Sequence, residues 1–368
     1  MSSHSHQNLH SKLSAAGLLV TLGIIYGDIG TSPLYVMKAI IGDSPISKDL
    51  ILGGLSCIFW TLTLQTTLKY VIITLSADNH GEGGIFALYA LVKRTKIQWL
   101  IVPAIIGGSA LLADGIITPP ISVSSAVEGL RIFKPDIPTI PIVIAILFVL
   151  FTIQQFGTKL VGKFFAPMML IWFTMLAVLG VIQMVTNLEV FNAINPYYAY
   201  HLLTSDVSDQ GFFILGAVFL CTTGAEALYS DMGHCGRKNI RISWMFVKTT
   251  LILNYFGQGA YLIAHEGKTL EQLGSSNPNP FYLIMETWFQ PIGIVIATMA
   301  AVIASQALIS GSFTLINEAM RLNFWPKVKI NFPTDLKGQL YIPSINWLLF
   351  LGCVGIVLHF EESSNMEH

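Results

Sequence analysis

The stretch Tyr26-Gly27-Asp28-Ile29-Gly30-Thr31-Ser32-Pro33-Leu34-Tyr35 limits the possible folds of this chain more than any other part of it. It lies inside an apolar run, Leu18 to Met37, whose length matches one bilayer crossing at about 1.5 Å per helical residue. An ionised carboxylate at the centre of a membrane helix costs about 2.5–3.5 kcal/mol on insertion scales. Glycine and proline weaken or remove backbone hydrogen bonds, and in lipid the freed carbonyls need other partners. The combination predicts a helix interrupted within the membrane, with Asp28 and loose carbonyls turned towards a bound cation. The alternative is a kinked span whose Asp is buried against a neighbouring helix.

The rest of the sequence belongs to the same setting. It is 53% hydrophobic and 11% charged, against about 25% charged residues in soluble domains, so an all-α polytopic membrane protein is expected. A net charge of −1 names no partner. Nucleic acid is excluded as a partner because no basic face interleaved with aromatic residues occurs. The first 17 residues hold Lys12, three His and several Ser, without an apolar core before a cleavage site, so no signal peptide is expected. Cys57, Cys221, Cys235 and Cys353 are scattered with no C-x-x-C, which suits small packing residues. His234 beside Cys235 has no second ligand pair, so a surface role is favoured over a metal site. Neither G-x-x-x-x-G-K-[ST] nor G-x-G-x-x-G occurs, so nucleotide hydrolysis, and with it an enzyme, is not expected, nor is a cofactor.

Nine long apolar segments are read at 18–38, 51–76, 100–127, 138–155, 164–186, 211–232, 243–264, 281–309 and 342–359. With the N-terminus inside, 13 Lys and Arg fall in cytoplasmic segments and 5 in outside connections, which fits the positive-inside rule. The loop 187–210 carries neither Lys nor Arg, an outside signature. Ile85 to Val92 is too short to span and reads as an interfacial or re-entrant helix. Gly311 to Leu322 reads as a second short amphipathic helix, ending at Arg321. The domain reading is a cytoplasmic tail at 1–12, a transmembrane core at 13–360 with nine spans, and the start of a truncated tenth span at 361–368.

Two further spans carry acids. In the third, Asp114, Thr118, Ser122 and Ser125 are spaced four, four and three apart, which lays them along one helical face. Pro119 and Pro120 lie within that stripe and leave carbonyls without helical donors. In the sixth, Thr222-Thr223-Gly224-Ala225-Glu226-Ala227-Leu228-Tyr229-Ser230-Asp231 places hydroxyls around Glu226 and a possible break at Gly224. Such oxygen-lined faces with one carboxylate per helix suit a weakly hydrated monovalent cation. Asp231 stands open between a helix-end cap and a site residue. Breaks in spans one and six point to an inverted repeat of five plus five helices.

The stretch Gly23 to Tyr35 resembles the signature of the Kup (KUP/HAK/KT) family of potassium uptake transporters. So do Asn79-His80-Gly81-Glu82-Gly83-Gly84, Asp114-Gly115-Ile116-Ile117-Thr118-Pro119 and Thr223-Gly224-Ala225-Glu226-Ala227-Leu228-Tyr229. The resemblance covers essentially the whole chain. It implies a LeuT-like fold of the amino acid–polyamine–cation superfamily with discontinuous helices one and six. It also implies proton-coupled potassium import through the plasma membrane. Carried onto this sequence, the family's potassium-binding positions fall on Asp28, Tyr35, Thr118, Ser122, Thr223 and Glu226, and Asp114 falls on an acid implicated in transport. Family members continue into further spans and a cytosolic C-terminal region, where they make homodimer contacts; this chain reads as a fragment or truncated product of the membrane core.

A carboxylate in low dielectric is destabilised in its charged form unless a cation is near. Potassium and a proton are therefore expected to compete for, or share, Asp28, Asp114 and Glu226. Whether Glu226 or Asp114 carries the coupled proton is left open. A symporter for amino acids or another organic solute, and a channel or a non-transporting osmosensor, are the competing classes. The first would need room for a substrate carboxylate beside the break, where this chain has its own acid.

Overall fold

The computed structural model describes residues 13–78, 82–93, 97–156, 162–204, 211–274, 278–333 and 340–366. The tail 1–12, motif residues 79–81 and the basic residues Arg94, Lys96, Lys159 and Lys337 lie outside the described residues. The elements are helical, and an isolated antiparallel bridge pairs Asn331 with Tyr341. In chain order the helices are α1 (Ala15–Ile24), α2 (Gly27–Thr31), α3 (Val36–Ile41), α4 (Lys48–Thr61), α5 (Ile85–Val92), α6 (Ile101–Glu128), α7 (Thr139–Ile153), α8 (Gly162–Met184) and α9 (Pro196–Thr204). They continue as α10 (Gly211–Phe219), α11 (Ala227–Ser230), α12 (Met232–Cys235), α13 (Arg237–Ile263), α14 (Pro280–Leu283), α15 (Gln290–Arg321), α16 (Pro343–Phe360) and α17 (Ser363–Met366).

All nine apolar segments fall on helical elements. Among the described residues, six are long and apolar enough to cross a membrane: Lys48–Ser76, Ile101–Ile132, Thr139–Phe156, Phe164–Met184, Gln290–Arg321 and Pro343–Phe360. A seventh forms if Ala15–Ile24 and Gly27–Leu34, bent by 71°, count as one broken span. Segment 211–232 is shorter and interrupted. α13 has 27 residues but carries Arg237, Lys238, Arg241 and Lys248, which lower its hydropathy.

Two of those charges, Arg241 and Lys248, have partners in the neighbouring span. The span begun by α4 widens into a π-helix at Leu62–Ile73, and π-turns disturb the regular pairing of backbone groups. Along this stretch α13 supplies donors: Arg241 to the carbonyls of Val71 and Ile72, Trp244 to Thr67, and Lys248 to Thr63.

Packing between α8 and α13 is close because two glycines meet. A Cβ on Gly180 would lie 2.2 Å from the Leu253 carbonyl oxygen, and one on Gly257 would lie 2.5 Å from Gly180 Cα. Small residues of this kind let membrane helices approach backbone to backbone. α15 packs on α6 and α2, and so lies against the first break.

Two expectations change. Gly311 to Leu322 is not a separate amphipathic helix: α15 runs unbroken from Gln290 to Arg321, since no breaker of helical pairing separates the two parts. Its start is later than residue 281, because Pro280–Leu283 form the separate turn α14. The carbonyls freed by Pro119 and Pro120 do not stay loose either. They belong to Gly115 and Ile116, and the Cys353 thiol of α16 lies 3.8 and 3.3 Å from them.

Candidate functional site

The first break is built by its own sequence. α1 ends at Ile24, α2 restarts at Gly27, and a 3-10 turn follows at Ser32–Leu34. Pro33 has no N–H with which to close the preceding turn. Three carbonyls of this interrupted segment are served from elsewhere in the fold. Trp172 Nε1 donates to the Gly30 carbonyl at 2.9 Å, Gln258 Nε2 to Pro33 at 2.9 Å and Asn279 Nδ2 to Leu34 at 2.5 Å. The expected picture of loose carbonyls facing a cation is narrowed by these three bonds.

The second break lies at Leu220–Glu226. A 3-10 turn, Leu220–Thr222, leads to Thr223 in an extended conformation and Gly224 at φ +85° before α11 begins. A positive φ of this size suits glycine. Space demands glycine as well: a Cβ here would meet Asp28 Cβ at 2.7 Å, Asp28 Oδ2 at 2.8 Å and the Ile29 nitrogen at 2.8 Å. The two breaks therefore touch, and Ser32 Oγ ties them by donating to the Leu220 carbonyl at 3.1 Å.

α6 brings the third acid. Asp28, Asp114 and Glu226 each place a carboxylate oxygen within 4.8 Å of the others. Asp28 is buried and the other two are half-buried. Thr118 Oγ1 donates to Asp114 Oδ1 at 2.5 Å. Both oxygens of Asp28 and Oδ2 of Asp114 are buried and accept no hydrogen bond among the described residues, and none of the three acids joins an ion pair there. Two unit negative charges 4.8 Å apart repel by about 3.5 kcal/mol at an effective dielectric of about 20. Three ionised acids at this spacing would bear roughly three times that repulsion, on top of unmet desolvation. The cluster calls for positive charge.

The neutral positions lie along the same surfaces. Thr118 is in the cluster through its bond to Asp114. Ser122 Oγ is 3.5 Å from Thr31 Oγ1, and Thr31 also donates to the Asp28 carbonyl. Tyr35 OH is 3.4 Å from Ser32 Oγ. Thr223 directly precedes Gly224 at the contact between the breaks. Asp231, at the start of α12, is not in the cluster. Sequence reasoning missed Thr31 and Ser32 as contributors. Their signal was present, three and four residues after Asp28 on the same broken helix.

Residues 15–368 match the family described as K+ potassium transporter integral membrane domain. The chain is similar to a probable potassium transport system protein Kup of Flavobacterium johnsoniae, with 80% identity over 100% of this chain and 56% of that protein. Proteins of the same description are 66% identical in Cytophaga hutchinsonii, over 97% of this chain and 54% of the relative, and 53% identical in Clostridium perfringens, over 97% and 55%. The chain spans about half the length of these relatives. On this match and this identity, the chain belongs to the K+ potassium transporter integral membrane domain family.

Proposed function

We propose that this chain is the ion-binding membrane core of a secondary active potassium importer that couples potassium to protons across the plasma membrane. The observation that carries the reading is the meeting of Asp28, Asp114 and Glu226 within 4.8 Å, with buried carboxylate oxygens that accept no hydrogen bond among the described residues. Potassium binds between the two breaks, and Asp28 is its main counter-charge. Tyr35, Thr118, Ser122, Thr223 and Glu226 complete the oxygen set, and dipoles of this kind replace the hydration of a large monovalent cation. A proton on Glu226 or Asp114 relieves the repulsion when potassium leaves, so the two cations use one cluster. Each inward positive charge gains about 2.3 kcal/mol per 100 mV of membrane potential.

Breaks in the first and sixth segments, in contact with each other, support a LeuT-like inverted repeat with the site at its centre. The distribution of Lys and Arg supports a cytoplasmic N-terminus. The test is growth of a potassium-uptake-deficient bacterium at low external potassium, using the chain alone and joined to the remaining length of its Flavobacterium johnsoniae relative. Asp28→Asn is expected to abolish potassium uptake at unchanged membrane abundance. Wild-type uptake by that variant would refute the site. Proton coupling is read separately, as alkalinisation of the medium accompanying uptake; uptake without it leaves the potassium site standing and removes the coupling.

A further inference from the structure

We propose that Trp172, Gln258 and Asn279 are positioning residues that fix the ion preference of the site by holding the first break in place through three of its backbone carbonyls. The proposal rests on the potassium reading above. The carbonyls of Gly30, Pro33 and Leu34 lie between Asp28 and Tyr35, the two residues of the first break assigned to the ion. Each is taken by a side-chain N–H from a different element: the indole from α8, one amide from α13, and the other from the residue that caps α14. All three donors are buried.

The donors are themselves held. Gln258 Nε2 also reaches Asn254 Oδ1 at 2.8 Å, and Asn254 Nδ2 donates to the Leu176 carbonyl of α8 at 3.0 Å. The bond to Pro33 can be made only by the nitrogen end of the Gln258 amide, because a carbonyl accepts and never donates. α8 and α13 thus grip the broken segment twice, through Trp172 and through the Leu176–Asn254–Gln258 relay. They do so from a pair of helices already in backbone contact at Gly180 and Gly257.

The consequence for the ion follows from coordination chemistry. Selectivity among alkali cations depends on the number, strength and freedom of the oxygen dipoles around the ion. With three of its carbonyls held by buried donors, the break presents Asp28 and Tyr35 to the ion at fixed spacing. Removing a donor loosens the segment that carries both Asp28 and Tyr35. Groups that orient ligands in this way change metal affinity by about 10–100-fold when removed.

The experiment follows the melting temperature of the purified chain against potassium, rubidium and caesium chloride, giving an apparent affinity for each ion. Gln258→Met removes the amide, and Trp172→Phe removes the indole N–H donor while keeping a six-membered aromatic ring. Each variant is expected to bind potassium about tenfold more weakly, with a potassium-to-caesium ratio closer to one than in the unaltered chain. Variants that melt lower without ions but keep all three affinities would show a merely structural role and overturn the proposal. Should Gln258→Met lose cooperative melting, Trp172→Phe decides the matter alone. Absence of any potassium-dependent stabilisation in the unaltered chain would instead defeat the potassium reading itself.

Discussion

Gly224→Ala is the sharpest test of the contact between the two breaks. At φ +85° an alanine sits in the left-handed region, which costs a non-glycine residue about 1–3 kcal/mol. That strain falls on the fold, with or without an ion. The second effect falls on the site. The new Cβ would lie 2.7 Å from Asp28 Cβ and 2.8 Å from Oδ2, where ordinary contact begins near 3.4 Å, and the Ile29 nitrogen at 2.8 Å blocks escape along the backbone. Asp28 must retreat, by roughly 1 Å at its carboxylate if it turns away. At an effective dielectric of about 20, moving a carboxylate from about 3 to about 4 Å from a cation loses about 1.4 kcal/mol, a tenfold loss of affinity. The assay is potassium-dependent stabilisation of the purified chain, with melting in the absence of alkali cations as the control. Gly224→Ala is expected to melt lower in the control and to need about tenfold more potassium for the same stabilisation. A folded variant with unaltered potassium affinity would show that Asp28 is not the counter-charge, or that the second break does not determine its position.

Two other perturbations probe stability and ion binding. Glu128→Gln leaves the buried Lys38 without its partner at 3.2 Å and weakens the acceptor that holds the backbone and hydroxyl of Ser363 at 2.7 and 2.8 Å. Breaking a buried pair costs about 3–5 kcal/mol, so the variant should melt markedly lower, and pairing it with Lys38→Met should restore part of the loss. Thr118→Val removes the hydroxyl that donates to Asp114. Hydrogen bonds to charged groups contribute about 1.5–3 kcal/mol, so the variant is expected to melt lower without ions and, because Thr118 is one of the proposed ligands, to bind potassium about tenfold more weakly, read by the same titration.

Much of this protein was readable in order along the chain, and the reason is physical. Hydropathy, chain breakers and buried charge act within a few residues of one another. The apolar segments, the break at Gly27–Pro33, the break at Gly224 and the stripe Asp114–Thr118–Ser122 are all properties of single helices, and each was legible. That the three acids belong together could be argued from electrostatics alone, since charge marooned in hydrocarbon needs a common solution.

The destinations of the freed backbone groups belong to the tertiary structure. The partners of Gly30, Pro33 and Leu34 lie 142, 225 and 245 residues away, and Cys353 stands 238 residues from the Gly115 carbonyl. No local pattern marks Trp172, Gln258 or Asn279 as anything but polar residues within or beside apolar segments. The same holds for Lys38, at the end of the first apolar segment, which is buried against Glu128 and, through it, α17. A proline or glycine announces that hydrogen bonds will be missing; only the packing of distant helices decides which side chains make them good, and so which oxygens remain for an ion.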